Sequence, residues 1–241
     1  MSKAIIVVDF AYKGPKRTGR GTGRQGLKAV LKYLQYRDKR NNHLAQNHTY
    51  ERWQDRGMGL SYGEIFRNCD ALQSKHVLAW TWVISPAPDL MELVSQRERR
   101  ALLYELTERV VEDYYTERGF DVPEYSYLMH SAKTRPKDGE PPQEHLHTHI
   151  ILPGTVSSTA ERLPVYNNTT KGHDRLFREI ASQHFADMLD ERGIGLPPVF
   201  WSNNHSGGAA DRASIVDAGM QPLTVVEDLD VVKQGPACLL A

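Results

Sequence analysis

Residues 144–154 read Glu-His-Leu-His-Thr-His-Ile-Ile-Leu-Pro-Gly, with His145, His147 and His149 at two-residue spacing along an apolar run. The run is short and bounded by Pro and Gly, so it predicts a strand over Leu146 to Leu152 rather than a helix. Alternation along a strand turns all three imidazoles to one face, with successive rings roughly 6.5–7 Å apart. Two such rings can converge on one ion. A second strand is expected over Glu124 to His130, separated from the first by a polar loop containing Pro136, Gly139, Pro141 and Pro142. If the two strands lie antiparallel side by side, His130 supplies a third imidazole beside His147 and His149. A three-His site with coordination positions left open is a catalytic rather than a closed structural metal geometry. His145, nearest the loop, is the expected spare member and competes with His130 for the ion. Imidazole sites take Mn, Zn, Ni or Co according to availability, with Mg less expected on ligand preference.

Outward from this core, Ala4 to Phe10 is an unbroken apolar run rich in Ile and Val and reads as a buried strand. Leu27, Val30, Leu31 and Leu34 recur at helical spacing and predict an amphipathic helix from Arg24 to about Lys39. His43 to Asp70 has no clear period and reads as a long polar surface segment that can hold short helices. Val77 to Ser85 is a further strand, with Trp80 and Trp82 on one face as packing residues. A long helix is expected from about Asp89 to Arg118, closed by Gly119, and another from Asp174 to Arg192. Pro197 to Trp201 reads as a short closing strand before a loose Asn-, Gly- and Ala-rich tail. The pattern predicts an α+β fold with a central, mostly antiparallel sheet flanked by helices.

The 241 residues carry 30 basic and 30 acidic side chains, a neutral sum that on its own argues against a nucleic-acid partner. The distribution reverses that inference, because residues 1–60 hold thirteen Lys or Arg against four Asp or Glu. Lys13, Lys16, Arg17, Arg20, Arg24 and Lys28 are interleaved with glycines, with no acidic residue between Asp9 and Asp38. This suits a loop that grips phosphates, although charge runs are commonly just solvated surface. Among the aromatics, Tyr50, Trp53, Tyr62 and Trp201 are candidate stacking platforms for a single strand. No stretch approaches the roughly 20 apolar residues of a membrane span, and the Ala4–Val8 run is too short for a signal-peptide core. A cytoplasmic chain without a membrane partner is the expectation. The two cysteines, Cys69 and Cys238, build neither a disulfide framework nor a Cys-ligated metal site.

His130, a polar loop, and then His147-Thr148-His149-Ile150-Ile151-Leu152 with Gly154 resemble the metal motif of HUH endonucleases. Residues 32–38, Lys-Tyr-Leu-Gln-Tyr-Arg-Asp, resemble the early tyrosine helix of conjugative and mobilisation relaxases, which nick plasmid DNA at a transfer origin. The resemblance spans about residues 4–192. It implies an RRM-like palm in a nicking domain at 1–192, with 193–241 as a C-terminal extension. It implies Tyr33 as nucleophile, with Tyr36 the second candidate and Tyr166 the candidate if the chain follows the replication-initiator order. It further implies one divalent metal ion held by His130, His147 and His149, and a 5′-phosphotyrosyl intermediate. Implied partners are single-stranded or hairpin DNA at the origin, with accessory relaxosome proteins and a coupling protein in a prokaryotic cytoplasm.

Three rival readings stand beside it. A rolling-circle replication initiator or single-strand transposase shares the chemistry. A small-molecule metallohydrolase would use the three-His site without a tyrosine, although the pattern His-X-His-X-Asp-His is absent here. A DNA-binding accessory protein with a structural metal would bind an origin without covalent attachment. Asp9 and Glu144 are the carboxylates that could orient a ligand histidine from behind, each reading equally well as a surface group.

Overall fold

The computed structural model describes residues 4–15, 23–41, 52–133, 143–156, 173–197 and 200, and Ala4–Leu196 forms one compact unit. Its elements run β1 (Ile6–Lys13), α1 (Gly23–Asn41), β2 (Gln54–Arg56), α2 (Tyr62–Ala71), β3 (Ala79–Pro86), α3 (Pro88–Met91), α4 (Arg99–Glu117), β4 (Tyr125–Lys133), β5 (Glu144–Pro153) and α5 (His173–Asp190). The five strands form a single sheet in the order β1-β3-β5-β4-β2, antiparallel throughout. The α+β expectation holds. β1 extends past the apolar run that announces it, because its ladder with β3 continues from Ile6 opposite Pro86 to Lys13 opposite Ala79.

Directly opposed residues of antiparallel strands share a face, so the register sorts the sheet into two surfaces. One surface carries Phe10, Trp82, Thr148 and Tyr127, and is covered by α4 and α5. Trp82 is fully buried there, with ring centroids 5.1 Å from Phe10, 5.6 Å from Tyr114 and 5.2 Å from Phe177, and it stacks on Tyr115 at 6.1 Å. The buried hydroxyls of Thr107 on α4 and Thr148 on β5 satisfy each other at 2.8 Å. The other surface carries Asp9, Val83, His145, His147, His149 and His130, and meets α1 and α2. The sheet thus separates an aromatic core from a histidine-bearing face.

Three expectations are corrected. The long helix from Asp89 to Arg118 is two helices, α3 and α4. Arg99 breaks the run, its guanidinium donating to the Val94 carbonyl at 3.0 Å and the Glu92 carbonyl at 3.2 Å, so side-chain donors replace the helical amides. The supposedly polar stretch before Asp70 contains β2 and α2 and buries Trp53, Met58, Ile65 and Cys69. Ser61 and Glu64 start α2 as a reciprocal cap, the Ser61 hydroxyl accepting from the Glu64 amide at 3.3 Å while the Glu64 carboxylate accepts from the Leu60 amide at 3.0 Å. Bonds from the Leu60 amide and the Ser61 hydroxyl hold the Glu64 carboxyl below its ordinary range. Phe200 is in helical conformation, its amide donating to the Pro197 carbonyl at 2.9 Å, where the sequence predicts a closing strand. Trp201 and the following tail lie outside the described residues.

Glycine has two legible jobs. Gly119 takes φ +71° after α4, as a helix C-terminus favours. A Cβ at Gly154 would sit 2.1 Å from the Val77 carbonyl oxygen, so the end of β5 closes against the turn before β3 only with glycine there.

Truncating the aromatic centre tests this packing. Trp82→Ala should lower unfolding stability by about 3–5 kcal/mol, read as a shift in the denaturant midpoint. A loss under about 1 kcal/mol would mean the sheet does not rest on that cluster.

Candidate metal centre beneath a tyrosine-bearing helix

β4 and β5 are neighbours in a register that sets His130 directly opposite His147. His149 follows two residues on and shares their face. The three side chains are 2, 7 and 9% exposed for His130, His147 and His149, and one nitrogen from each lies within 4.8 Å of the others. Ring centroids are 5.7 Å apart for His130 and His147, 4.8 Å for His130 and His149, and 5.0 Å for His147 and His149.

Two hydrogen bonds assign tautomers. Carbonyl oxygens only accept, so Nε2 of His130, 2.8 Å from the Leu34 carbonyl, is the protonated nitrogen and Nδ1 keeps the lone pair. By the same reasoning Nδ1 of His147 donates to the His145 carbonyl at 3.3 Å, leaving Nε2 as its lone-pair atom. Carbonyl acceptors behind ligand imidazoles are the usual way proteins fix their orientation. A buried set of imidazole donors at these separations fits a divalent ion of borderline softness.

His145 lies beside the group, its ring centroid 5.6 Å from that of His147, but its nitrogens are not among those that converge. Its Nε2 is 2.6 Å from the Ser85 hydroxyl of β3, and burial pushes its pKa below the ordinary histidine value. It shares the face and is held toward β3 by that bond. Neither proposed carboxylate stands behind a ligand. Asp9 lies on the histidine face two strands from His149 and accepts from the Phe10 amide at 2.8 Å. Glu144 is on the opposite surface, bonded to Ser131 at 2.8 Å. The role falls instead to main-chain carbonyls, which no side-chain motif encodes.

The Leu34 contact brings α1 over the histidines. Leu27, Val30, Leu31 and Leu34 are its buried stripe, and Tyr33 precedes the carbonyl that His130 holds. Tyr33 is half-buried, and Tyr36, one turn on, packs its ring 6.1 Å from that of Tyr62 on α2. The other described tyrosines are elsewhere: Tyr12, Tyr125 and Tyr127 sit on the α4 and α5 surface, and Tyr104, Tyr114 and Tyr115 are on α4 itself. Burial raises the Tyr125 phenol to about 12 and also raises Tyr127, with Glu108 adding to the effect. Tyr33, Tyr36 and Tyr62 are the described tyrosines on the histidine side. Tyr50 and Tyr166 lie outside the described residues.

Of the basic residues, Lys13 is half-buried at the end of β1, where burial lowers its pKa. Arg24 pairs with Asp70 of α2 at 2.7 Å, and Lys28 is exposed on α1. Lys16, Arg17 and Arg20 lie outside the described residues. Trp53 is no platform: it is 2% exposed and donates its indole N–H to Gln35 at 3.3 Å. Gln35 also accepts from the Tyr62 amide at 2.8 Å, which ties α2 to α1. The Ser61-X-X-Glu64 pattern was the available signal for α2 and its ring. Cys69 is buried with its thiol pushed up to about 12, and takes no part in the histidine group. No described helix is long and apolar enough to cross a membrane.

No protein-family model and no curated protein sequence matches the chain. Among solved structures it is similar to TrwC complexed with a 27-mer DNA comprising the recognition hairpin and the cleavage site, with TM-score 0.45 and 11% identity over 78% of this chain and 70% of that one. A metal-free complex of conjugative relaxase TrwC with oriT DNA gives TM-score 0.44 and 12% identity at the same coverages. Both are the relaxase TrwC. The likeness is too distant to carry residue roles or a reaction across.

The ligand set is directly testable. The protein should bind zinc or manganese at about one ion per chain, measured by calorimetry and elemental analysis. His147→Ala and His149→Ala should abolish binding, while His145→Ala should keep it. At a hundredfold excess of ion over Kd the native state should gain about 2.7 kcal/mol, a rise in melting temperature of several degrees. Loss of binding in His145→Ala with binding retained in His130→Ala would make His145 a ligand in place of His130.

Proposed function

We propose that this chain is a metal-dependent DNA relaxase of the HUH type, cutting one strand at a plasmid or conjugative transfer origin, with Tyr33 as nucleophile. The observation that supports it best is the bond from His130 to the carbonyl of Leu34, the residue after Tyr33. One contact thus ties the three-His group to the tyrosine helix. The sequence resemblance over residues 4–192 supplies the reaction class, and the order of the tyrosine helix before the histidine strands favours a relaxase over a replication initiator. On this reading residues 1–192 are the nicking domain and 193–241 an extension.

In the proposed reaction the Tyr33 oxygen attacks phosphorus of the scissile phosphodiester. The new O–P bond forms as the bond to the 3′ oxygen breaks. A phenol with an ordinary pKa near 10 attacks poorly while protonated, so its proton leaves to water or a base as attack proceeds. The departing 3′ oxygen takes up a proton and becomes a free hydroxyl. His130, His147 and His149 would hold a divalent ion, which would supply positive charge against the phosphate oxygens. The 5′-phosphotyrosyl link conserves the phosphodiester, so the strand can be rejoined without ATP. Lys13, Lys16, Arg17, Arg20, Arg24 and Lys28 are proposed to hold the DNA backbone. The proposed partner is single-stranded or hairpin origin DNA, with relaxosome and coupling proteins recruited in a prokaryotic cytoplasm.

Incubation with single-stranded origin libraries and Mn²⁺ should yield an adduct that survives denaturation and maps to Tyr33. Tyr33→Phe should lower adduct yield at least a hundredfold, and Tyr36→Phe should keep it within about threefold. An adduct mapping to Tyr36 would reassign the nucleophile. Metal binding without any adduct would return the chain to the hydrolase or accessory-protein readings.

A further inference from the structure

α1 and α2 lie side by side and pair in a repeating way. Lys28 of α1 carries its ammonium 5.9 Å from the ring centroid of Phe66 on α2, and Lys32, one turn on, carries its own 5.3 Å from the centroid of Tyr62. Both lysines are exposed and both rings half-buried. Tyr36 extends the row by one more turn against Tyr62. The pairing is held at both ends, by the Arg24–Asp70 ion pair at 2.7 Å and by Gln35 accepting from the Tyr62 amide at 2.8 Å. The acids of α2 are engaged: Asp70 with Arg24, and Glu64 with the Leu60 amide and Ser61 hydroxyl. Lys28, Lys32 and exposed Arg67 leave the face cationic.

We infer that this double cation-and-ring unit, Lys28–Phe66 and Lys32–Tyr62, is a binding track for single-stranded DNA that leads along α1 toward Tyr33. The inference rests on the relaxase reading for its direction. A nucleotide offers an anionic phosphate and a flat base, and each unit offers a cation and a ring. Successive units are four helical residues apart, about 6 Å. That is longer than the roughly 3.4 Å step of a stacked duplex strand, so the track suits a strand drawn out with its bases unstacked. Each lysine would turn from ring to phosphate while a base takes its place on the ring, as in sequence-tolerant single-strand grooves.

The test uses the full chain, a fluorescein-labelled 20-mer of dT, and an abasic 20-mer of the same charge. Tyr62→Ala should weaken dT binding about tenfold and leave abasic binding within twofold. Tyr62→Phe, which keeps the ring and the fold, should bind dT like the wild type. Lys32→Gln should weaken both probes and reduce the slope of log K against log salt by about 0.7. In Tyr62→Ala, unchanged dT binding or equal weakening of both probes would overturn the track, as would displacement of dT by polyglutamate as effective as by unlabelled dT. Should Tyr62→Ala fail to fold, an unchanged salt slope in Lys32→Gln overturns it alone. A Tyr33 adduct that forms while Tyr62→Ala binds normally sinks the track and spares the relaxase. Tyr62-dependent dT binding with no adduct does the reverse.

Discussion

A buried histidine on the fourth strand donates to a main-chain carbonyl midway along the first helix, and the site is organised around that bond. It fixes the His130 tautomer, so that Nδ1 and not Nε2 can serve an ion. It also holds a helix over a sheet face that would otherwise need another cover. The carbonyl would ordinarily accept from an amide of its own helix, and a carbonyl oxygen has a second lone pair to offer His130. His130 thus belongs both to the histidine group and to the helix contact, so a substitution there reaches both.

The rest of the fold sets up this contact from a distance. The aromatic core around Trp82 belongs to the opposite surface of the sheet, where α4 and α5 cover it. Packing there fixes the strand order and register, and the register decides that His130 faces His147. The histidine face can then afford polar residues, because the apolar burial that stabilises the sheet lies mostly on the other side. Gly154 contributes by letting the end of β5 approach the turn before β3.

Much of this was legible in the sequence, and the reasons differ by element. The histidine alternation on β5 is a two-residue period read directly from the chain, and α1 shows a clean stripe from Leu27 to Leu34. Gly119 marked the end of α4 because few other residues accept its φ. The break between α3 and α4 was hidden, since Leu90, Met91 and Val94 continue an apolar pattern while Arg99 acts through its side chain. α2 was hidden for want of a period, although its capping pair was in plain view. The carbonyls of Leu34 and His145 were beyond any sequence pattern, because main-chain groups are the same at every residue.

The central claim is that His130, His147 and His149 close on one ion beneath the helix that carries Tyr33. A crystal of the protein soaked in zinc, with an anomalous difference map at the zinc edge, tests it most directly. The account predicts one strong peak about 2.0–2.1 Å from a nitrogen of each of the three rings, with Nδ1 as the His130 ligand and Tyr33 on the same side of the sheet. A peak bound by His145 in place of His130, or Nε2 of His130 turned from Leu34 to the ion, would contradict it.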